Sequence, residues 1–398
     1  MVATAKEKTK KPKKNYTSKE PEVFWYLNAK GDKLWGFRHK YYDALGIRQE
    51  KPKQGLMTEN IAIRELLAVK TDLINGNVKL VDNSNLTVSA WLDIWFETNK
   101  DDWEITSRIQ RENAIKYQMK PLLGKYKLAD LDKATYKRVF INVLLKKYEP
   151  STVQLFHRLF KVAINAAVDS EIIKRNRFNN IKIVENKIEN NFLTAPALKS
   201  FLVSAKTLEN ITNYTAILLL AYTGLRKGEL QGLKWNNINF SKKELTVERT
   251  RDKYGDRSPK TKKSFRTILI DDIVLEQLKI YKTWCKKILL TFGKKLKDNG
   301  DDFIFISHQS GTPIGDNTLN ASFTRIVKDT GVKKITPHGL RHTHATILIA
   351  EKTPLKTISD RLGNTPEMVL KVYGHSFKEL EKESVEAFSS AMSRAMNS

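Results

Sequence analysis

Cysteine is almost absent from this chain: one residue, Cys285, among 398. A lone thiol excludes a disulfide framework and a cysteine-based zinc site, and it fits a reducing, cytoplasmic compartment. Long apolar runs are missing too. The longest, residues 216–221 with its flanks, falls far short of the ~20 residues that a bilayer span requires. The N-terminus is lysine-rich with no apolar stretch behind it, so it does not read as a secretory signal. Acidic residues are scarce: 44 Asp and Glu against 70 Lys and Arg, a formal net charge of +26. That excess points to a polyanion, and with no membrane segment the polyanion is nucleic acid. A ribosomal or structural DNA-coating protein is the plain alternative. Hydrophobic residues make up 40% of the chain, enough for two or three domains with cores of their own.

Residues 1–20 carry seven lysines and two glutamates without apolar periodicity, which reads as a disordered basic arm: a solubilising tail or a nonspecific phosphate contact. Residues 21–82 read as a small module. Two strands, 23–27 and 34–41, flank a turn at 28–32, and a helix follows with Ile61, Leu66, Ala68 and Leu73 near helical spacing. Arg38 and Lys40, on the second strand, can enter a DNA groove while Trp25, Trp35 and Phe37 form a core, because alternate residues of a strand face opposite ways. Residues 85–183 read as helices. Val88, Trp91, Leu92 and Trp95 form one apolar stripe. Ser151 and Gln154 have capping-box spacing ahead of a second stripe at Leu155, Leu159, Val162, Ala163 and Ala166. Residues 184–192 are polar and Asn-rich, an expected linker. Residues 193–398 form the last domain, with apolar helices and one β section at 245–248 and 265–270.

The chemistry concentrates in that last domain. Arg226 follows an apolar helix and the break at Gly224, so it sits at a loop or helix start, and Glu229, three residues on, can hold it. Thr336-Pro337 marks a helix N-terminus. On that helix His338 and Arg341 share a face and can meet one phosphate. His338 and His342 also have metal-ligand spacing, but no carboxylate or cysteine joins them and Arg341 lies between, so no metal is expected. Tyr373 follows an apolar-periodic stretch; core packing is the ordinary use of such a tyrosine. With two arginines supplying positive field and His338 able to take the proton, a phenol of pKa about 10 can attack phosphorus and form a covalent ester. A leaving oxygen then needs an acid. In the basic turn 259–264, Lys260 is the first choice and Lys262 the second, with Lys263 a further phosphate contact. A turn that only touches phosphate is the alternative.

Thr223-Gly224-Leu225-Arg226-Lys227-Gly228-Glu229-Leu230, the run from Lys260 to Thr267, His338-Gly339-Leu340-Arg341-His342-Thr343-His344, and Leu362-Gly363-Asn364 followed by Tyr373 together resemble the tyrosine recombinases, the phage-integrase family. The likeness is close over the last two hundred or so residues, looser over 85–183, which resemble the helical core-type DNA-binding domain, and weaker over 21–82, which resemble the arm-binding domain of phage and conjugative-transposon integrases. The resemblance implies a mainly α fold with small β-sheets: a three-stranded N-terminal sheet plus helix, a helical core-binding domain and a mixed α/β catalytic domain. It implies a site-specific integrase that cleaves and rejoins double-stranded DNA through a 3′-phosphotyrosyl bond at Tyr373. Arg226 and Arg341 would clamp the phosphate, Lys260 would protonate the 5′-oxygen, His338 would be the general acid/base, and Glu229 would support the site. No cofactor would be required, because the ester conserves the bond energy. Asn364 stands where the family usually has His or Trp, and His375 is a frequent family feature. The tail containing Phe377, Leu380, Phe388 and Met392 would be an amphipathic helix docking on a neighbouring protomer, giving a homotetramer on DNA at the bacterial nucleoid, with DNA-bending and directionality helpers. A type IB topoisomerase and a DNA-binding accessory protein with a dead site are the competing readings.

Overall fold

The computed structural model describes residues 13–16, 19–43, 45–184, 191–258, 264–379, 388–389 and 392–395, with backbone alone at 374–379. The chain forms two compact units that divide at residues 187/188.

The first unit opens with an antiparallel sheet in the order β1 (Asn15–Tyr16), β2 (Val23–Leu27), β3 (Lys33–Tyr42), β4 (Arg48–Leu56). The β2–β3 turn is built by Asn28, whose Oδ1 accepts from the Lys30 and Asp32 amides, 2.9 Å each. Helix α1 (Glu59–Ile74) starts at the Thr58 N-cap and covers one face, where Val23, Phe37, Ala62 and Leu66 are buried together. Two of these strands go beyond the pair read from the residues, and the sheet has four strands where the resemblance implied three. β1 lies inside the arm expected to be disordered, because Tyr16 packs on Phe24 at 5.6 Å and Lys14 lies 4.5 Å from that ring. β4 is polar along almost its whole length and has no apolar alternation to betray it.

After α2 (Val78–Asp82) come α3 (Val88–Asn99), α4 (Ile105–Ala114), α5 (Lys120–Leu123), α6 (Lys133–Tyr136), α7 (Asn142–Leu145) and α8 (Pro150–Asp169). Single π turns, Ile115–Met119 and Lys137–Ile141, join α4 to α5 and α6 to α7. Val88, Trp91, Leu92 and Trp95 are all buried, as their spacing predicts. Trp91 also donates Nε1–H to the Ala163 carbonyl at 2.8 Å. α8 departs from the expected capping box. Its N-cap is Glu149 with Pro150 at the first turn, and Gln154 donates to the Ile183 carbonyl instead of closing a capping box with Ser151. The buried face runs Val153, His157, Phe160, Ile164, Ala167, with Leu159 and Ala163 beside it, while Val162 is exposed. His157 hides this stripe in sequence. Its Nδ1 lies 2.9 Å from the Tyr136 hydroxyl, so a polar residue occupies a core position.

In the second unit α9 (Ala195–Leu208) leads to α10 (Ile211–Thr223). α10 is buried nearly all round and packs against α9, α12 (Asp272–Thr291) and α14 (Pro337–Ala350). Between them lie α11 (Lys227–Gln231), the sheet β5 (Ile238–Asn239), β6 (Glu244–Val247), β9 (Arg266–Leu269), and the hairpin β7 (Thr250–Asp252), β8 (Gly255–Arg257). The unit continues through α13 (Thr318–Thr330), α15 (Leu355–Leu362) and α16 (Pro366–Glu379). A smaller core of Ala345, Ile349, Ile358, Leu362, Val369 and Tyr373 ties α14, α15 and α16 into one block.

Candidate active site

Two helix ends meet at the site. α10 stops at Gly224 and α15 at Gly363, both left-handed with φ of 65°. A Cβ on Gly224 would lie 2.8 Å from Leu362 Cδ2 and 2.9 Å from His344 Cδ2, so glycine is required for close approach as well as for its φ. Arg341, 3% exposed on the second turn of α14, bridges these ends. It donates Nη1–H to the Gly224 carbonyl at 2.9 Å and Nη2–H to the Leu362 carbonyl at 2.7 Å. The loose carbonyls of two helix C-termini thus fix its plane.

Arg226 is the N-cap of α11, one turn ahead of Glu229. Glu229 is buried and accepts from Arg226 Nη1 at 2.7 Å, from the Arg226 amide at 3.0 Å, and from Arg266 Nη2 at 2.9 Å. Burial alone would raise the Glu229 pKa. Its hydrogen bonds and charge contacts with Arg266, then those with Arg226, outweigh burial and hold the carboxyl below its ordinary value. Asn364 accepts from Arg226 Nη2 at 2.7 Å, so its amide oxygen is committed to the arginine and its NH₂ keeps donor capacity. Arg226, with a side chain 37% exposed, is the guanidinium open to a ligand.

Sequence reasoning overlooked two further arginines. Arg266 donates Nε–H to the Arg361 carbonyl at 2.8 Å, and Arg361 donates to the Leu269 and Tyr222 carbonyls, 2.9 Å each. One signal was available. On β9 the register puts Arg266 on the same face as buried Ile268, so a charged residue points inward and needs a partner. Arg361 also donates Nε–H to His344 Nε2 at 3.0 Å, and His344 Nδ1 lies 3.0 Å from the Ala221 carbonyl. That arrangement requires a neutral imidazole. Burial, then the Arg361 charge, lowers its pKa from 6.5 to about 4. The folded value lies below the unfolded one, so this stability is complete above pH 6.5 and is lost as pH falls toward 4. Comparing urea midpoints at pH 7 and pH 4.5 should show an acid loss that shrinks, by at most about 3 kcal/mol, in His344→Gln, which keeps a donor and an acceptor but does not titrate. An equal loss in both proteins would remove His344 from the account.

Tyr373, 5% exposed on α16, has its hydroxyl 2.8 Å from His342 Nδ1. The sequence reading assigned its proton to His338. The structure instead sets His342 against the phenol, because α16 crosses α14 one turn further along. His338 touches His342 edge to face, with ring centroids 4.7 Å apart. Desolvation, then His342, Arg341 and Arg226, pushes the His338 pKa down to about 4. Burial, then Arg341, lowers His342. Burial raises Tyr373 to about 12, against a lowering pull from Arg341. Burial first, then Arg226, lowers the Arg341 guanidinium from its ordinary value; arginine starts so high that it remains a cation at neutral pH. Lys260, Lys262 and Lys263 lie outside the described residues, between β8 and β9, and so does the His375 side chain. Of the tail expected to form an exchange helix, Phe388 and Met392 are exposed, while the Phe377 side chain and Leu380 lie outside the described residues.

In the first unit, Arg38 and Lys40 project from the sheet face opposite α1, since Phe37 on the same strand faces the helix. Arg38 Nε is 2.9 Å from Glu50 Oε1, and Lys40 pairs in register with Glu50.

The comparisons with known proteins agree with this geometry. Residues 191–379 match the model of the phage integrase family, and residues 87–145 match that of the phage integrase N-terminal SAM-like domain. A tyrosine recombinase XerC-like protein of Caldanaerobacter subterraneus is 28% identical over 351 residues, 81% of this chain and 88% of the relative. The ICEBs1 integrase of Bacillus subtilis is 28% identical over 295 residues, 70% and 77% of the two chains. Among solved structures, the Tn1549 transposon integrase in complex with transposon right end DNA superposes with a TM-score of 0.64 at 23% identity, covering 75% of this chain and 99% of that one. A lambda integrase dimer bound to a core site gives 0.57 at 18% identity, covering 92% and 96%. Both likenesses are of fold. Two family models in chain order, on a site of clustered arginines and a histidine-paired tyrosine, lead to one conclusion: the chain belongs to the phage integrase family of tyrosine recombinases.

Proposed function

We propose that this protein is a site-specific DNA integrase that joins a mobile element to its host DNA and, with helpers, excises it. One observation carries the reading. Arg226 and Arg266 share the Glu229 carboxylate, while Arg341 and Arg361 are held nearby by main-chain carbonyls, beside a tyrosine held against a histidine. Such an excess of guanidinium in a poorly solvated site attracts a further anion, and it favours the phosphoryl transfer transition state, which carries more negative charge than the diester.

In this reading Arg226 presents its exposed edge to the scissile phosphate. Arg341, braced on two carbonyls, supplies field from below, and Asn364 offers an amide donor. The Tyr373 oxygen attacks phosphorus, the bond to the 5′-oxygen breaks, and that oxygen takes a proton from His338 or from a lysine of the 259–264 turn, with Lys260 preferred. The 3′-phosphotyrosyl ester keeps the bond energy, and a second 5′-hydroxyl reverses the step. Arg38 and Lys40 contact arm-type DNA, and Lys262 and Lys263 contact the phosphate backbone. The active assembly is a homotetramer on two double-stranded sites, assisted by DNA-bending and directionality proteins, in the bacterial cytoplasm at the nucleoid. Among the described residues no helix is long and apolar enough to cross a membrane.

The test is a nicked suicide substrate carrying the element's own flanking sequence. Wild-type protein is expected to form a covalent 3′ adduct and then exchange strands between two such sites. Adduct without exchange would favour relaxation of DNA by a topoisomerase-like activity. Absence of adduct would leave a DNA-binding accessory protein.

A further inference from the structure

The motif comparison casts His338 as the histidine of the reaction, yet the atom that must lose a proton touches a different ring. We infer that His342 is the immediate proton acceptor for Tyr373, accepting through Nδ1 as the phenol oxygen bonds to phosphorus. The assignment rests on the recombinase reading above and deepens it.

Three observations converge. The Tyr373 hydroxyl and His342 Nδ1 are 2.8 Å apart, within hydrogen-bond reach for proton transfer. Both side chains sit on rigid elements: Tyr373 is buried in the α14–α15–α16 core, and His342 occupies α14 one residue after Arg341, which is fixed by the carbonyls of Gly224 and Leu362. His342 also has no competing role. His344, two residues on, is spent on Ala221 and Arg361, and His338 meets only the edge of the His342 ring.

Burial and the charges around His342 explain why transfer would await DNA. On α14 it faces Arg341 and His338, from α16 Tyr373; Arg226, at the start of α11, acts on the neighbouring His338, while α15 directs Arg361 at His344 and α10 offers that same ring the Ala221 carbonyl. In the free protein burial, reinforced by the Arg341 charge, keeps His342 neutral, and burial leaves the proton on Tyr373 against the opposing pull of Arg341. A phosphodiester seated on Arg226 adds a negative charge that offsets those cations and strengthens the base. The step balances. The phenol O–H breaks, the oxygen pair forms the O–P bond, the imidazole holds the proton as imidazolium, and the departing 5′-oxygen is protonated by the separate acid. Religation returns the proton from His342 to Tyr373.

The experiment uses full-length protein on the suicide substrate. His342→Asn places an amide near the position of Nδ1, so it can hold the phenol but cannot take its proton. Adduct formation at pH 7 is expected to slow about 10²-fold, the typical contribution of a general base. The variant's rate should rise with pH through 6.5–9.5 while the wild-type rate stays nearly level, with DNA affinity by gel shift unchanged in both. An asparagine variant within threefold of wild type, with the same pH profile, would overturn the assignment. A wild-type protein that forms no adduct would sink the recombinase reading itself, a distinguishable failure. If His342→Asn does not fold, ¹⁵N chemical shifts of the wild-type histidine rings decide. An Nε2–H tautomer at His342 supports acceptance through Nδ1, whereas an Nδ1–H tautomer makes His342 a donor to the tyrosine and ends the proposal.

Discussion

Tyr373→Phe is expected to eliminate the covalent adduct while leaving DNA binding and the fold intact. The change removes one oxygen. The ring remains in its core among Ala345, Ile349, Ile358, Leu362 and Val369, so the packing that orders α16 is retained. The lost contact is the hydrogen bond to His342, whose partly buried ring can turn to water, so stability should change by about 1 kcal/mol or less. Arg226, Arg341, Glu229 and Asn364 do not depend on the phenol for their geometry, and affinity for the site should survive. The readout is the protein–DNA band that resists denaturation on the nicked substrate, beside a gel shift with intact duplex. An adduct that persists would mean that another side chain attacks. Loss of adduct together with loss of binding would mean that the ring, not the oxygen, was the important part.

Glu229→Ala should have the largest effect on stability. Glu229 is the carboxylate shared by Arg226 and Arg266, and the Arg266 side chain is only 6% exposed. Removing the anion leaves a buried guanidinium without its counterion, which typically costs about 3–5 kcal/mol. The damage should spread to function, because the Arg226 amide and Nη1 both lose their acceptor and the exposed arginine loses its fixed rotamer. Denaturant midpoints measure the first effect and single-turnover cleavage the second. Glu229→Gln, which still accepts one hydrogen bond, should fall between the two. Because the Glu229 pKa is held below its ordinary value, its stabilisation is present above about pH 4.5 and is lost as pH falls through the lower folded value. The acid sensitivity traced to Glu229 should therefore disappear in the alanine variant. An alanine variant as stable as wild type would show that Arg266 is satisfied by the Ser264 and Arg361 carbonyls alone.

The legible parts of the sequence share a property: a local signal. Thr336-Pro337 announces the start of α14, and the structure shows Thr336 Oγ1 accepting from the Gly339 amide at 3.2 Å. Gly224 and Gly363 announce helix ends. The stripe from Val88 to Trp95 is buried because its spacing matches one helix face. The features that escaped lack such a signal or carry a misleading one. β4 has no apolar alternation because its side chains are polar and its partner is β3. The buried face of α8 was displaced because His157 looks like a surface residue until Tyr136 arrives to bond it. Arg266 and Arg361 read as two more cations in a chain full of them.

The sequence by itself determined the chemical vocabulary of this protein: the cationic excess, the helix boundaries at Gly224 and Thr336, and the arginine, histidine and tyrosine types that a phosphodiester requires. These depend on composition and on spacing within one element, which a linear chain states openly. The tertiary structure alone decided the contacts. It set His342 rather than His338 against Tyr373, and gave Glu229 to two arginines at once. It also braced Arg341 on the carbonyls of Gly224 and Leu362, 117 and 21 residues away in the chain. The physical reason is that hydrogen bonds and proton transfer are set by ångström distances between elements. A one-turn shift in how α16 crosses α14 changes which histidine faces Tyr373 without changing a letter of the motif.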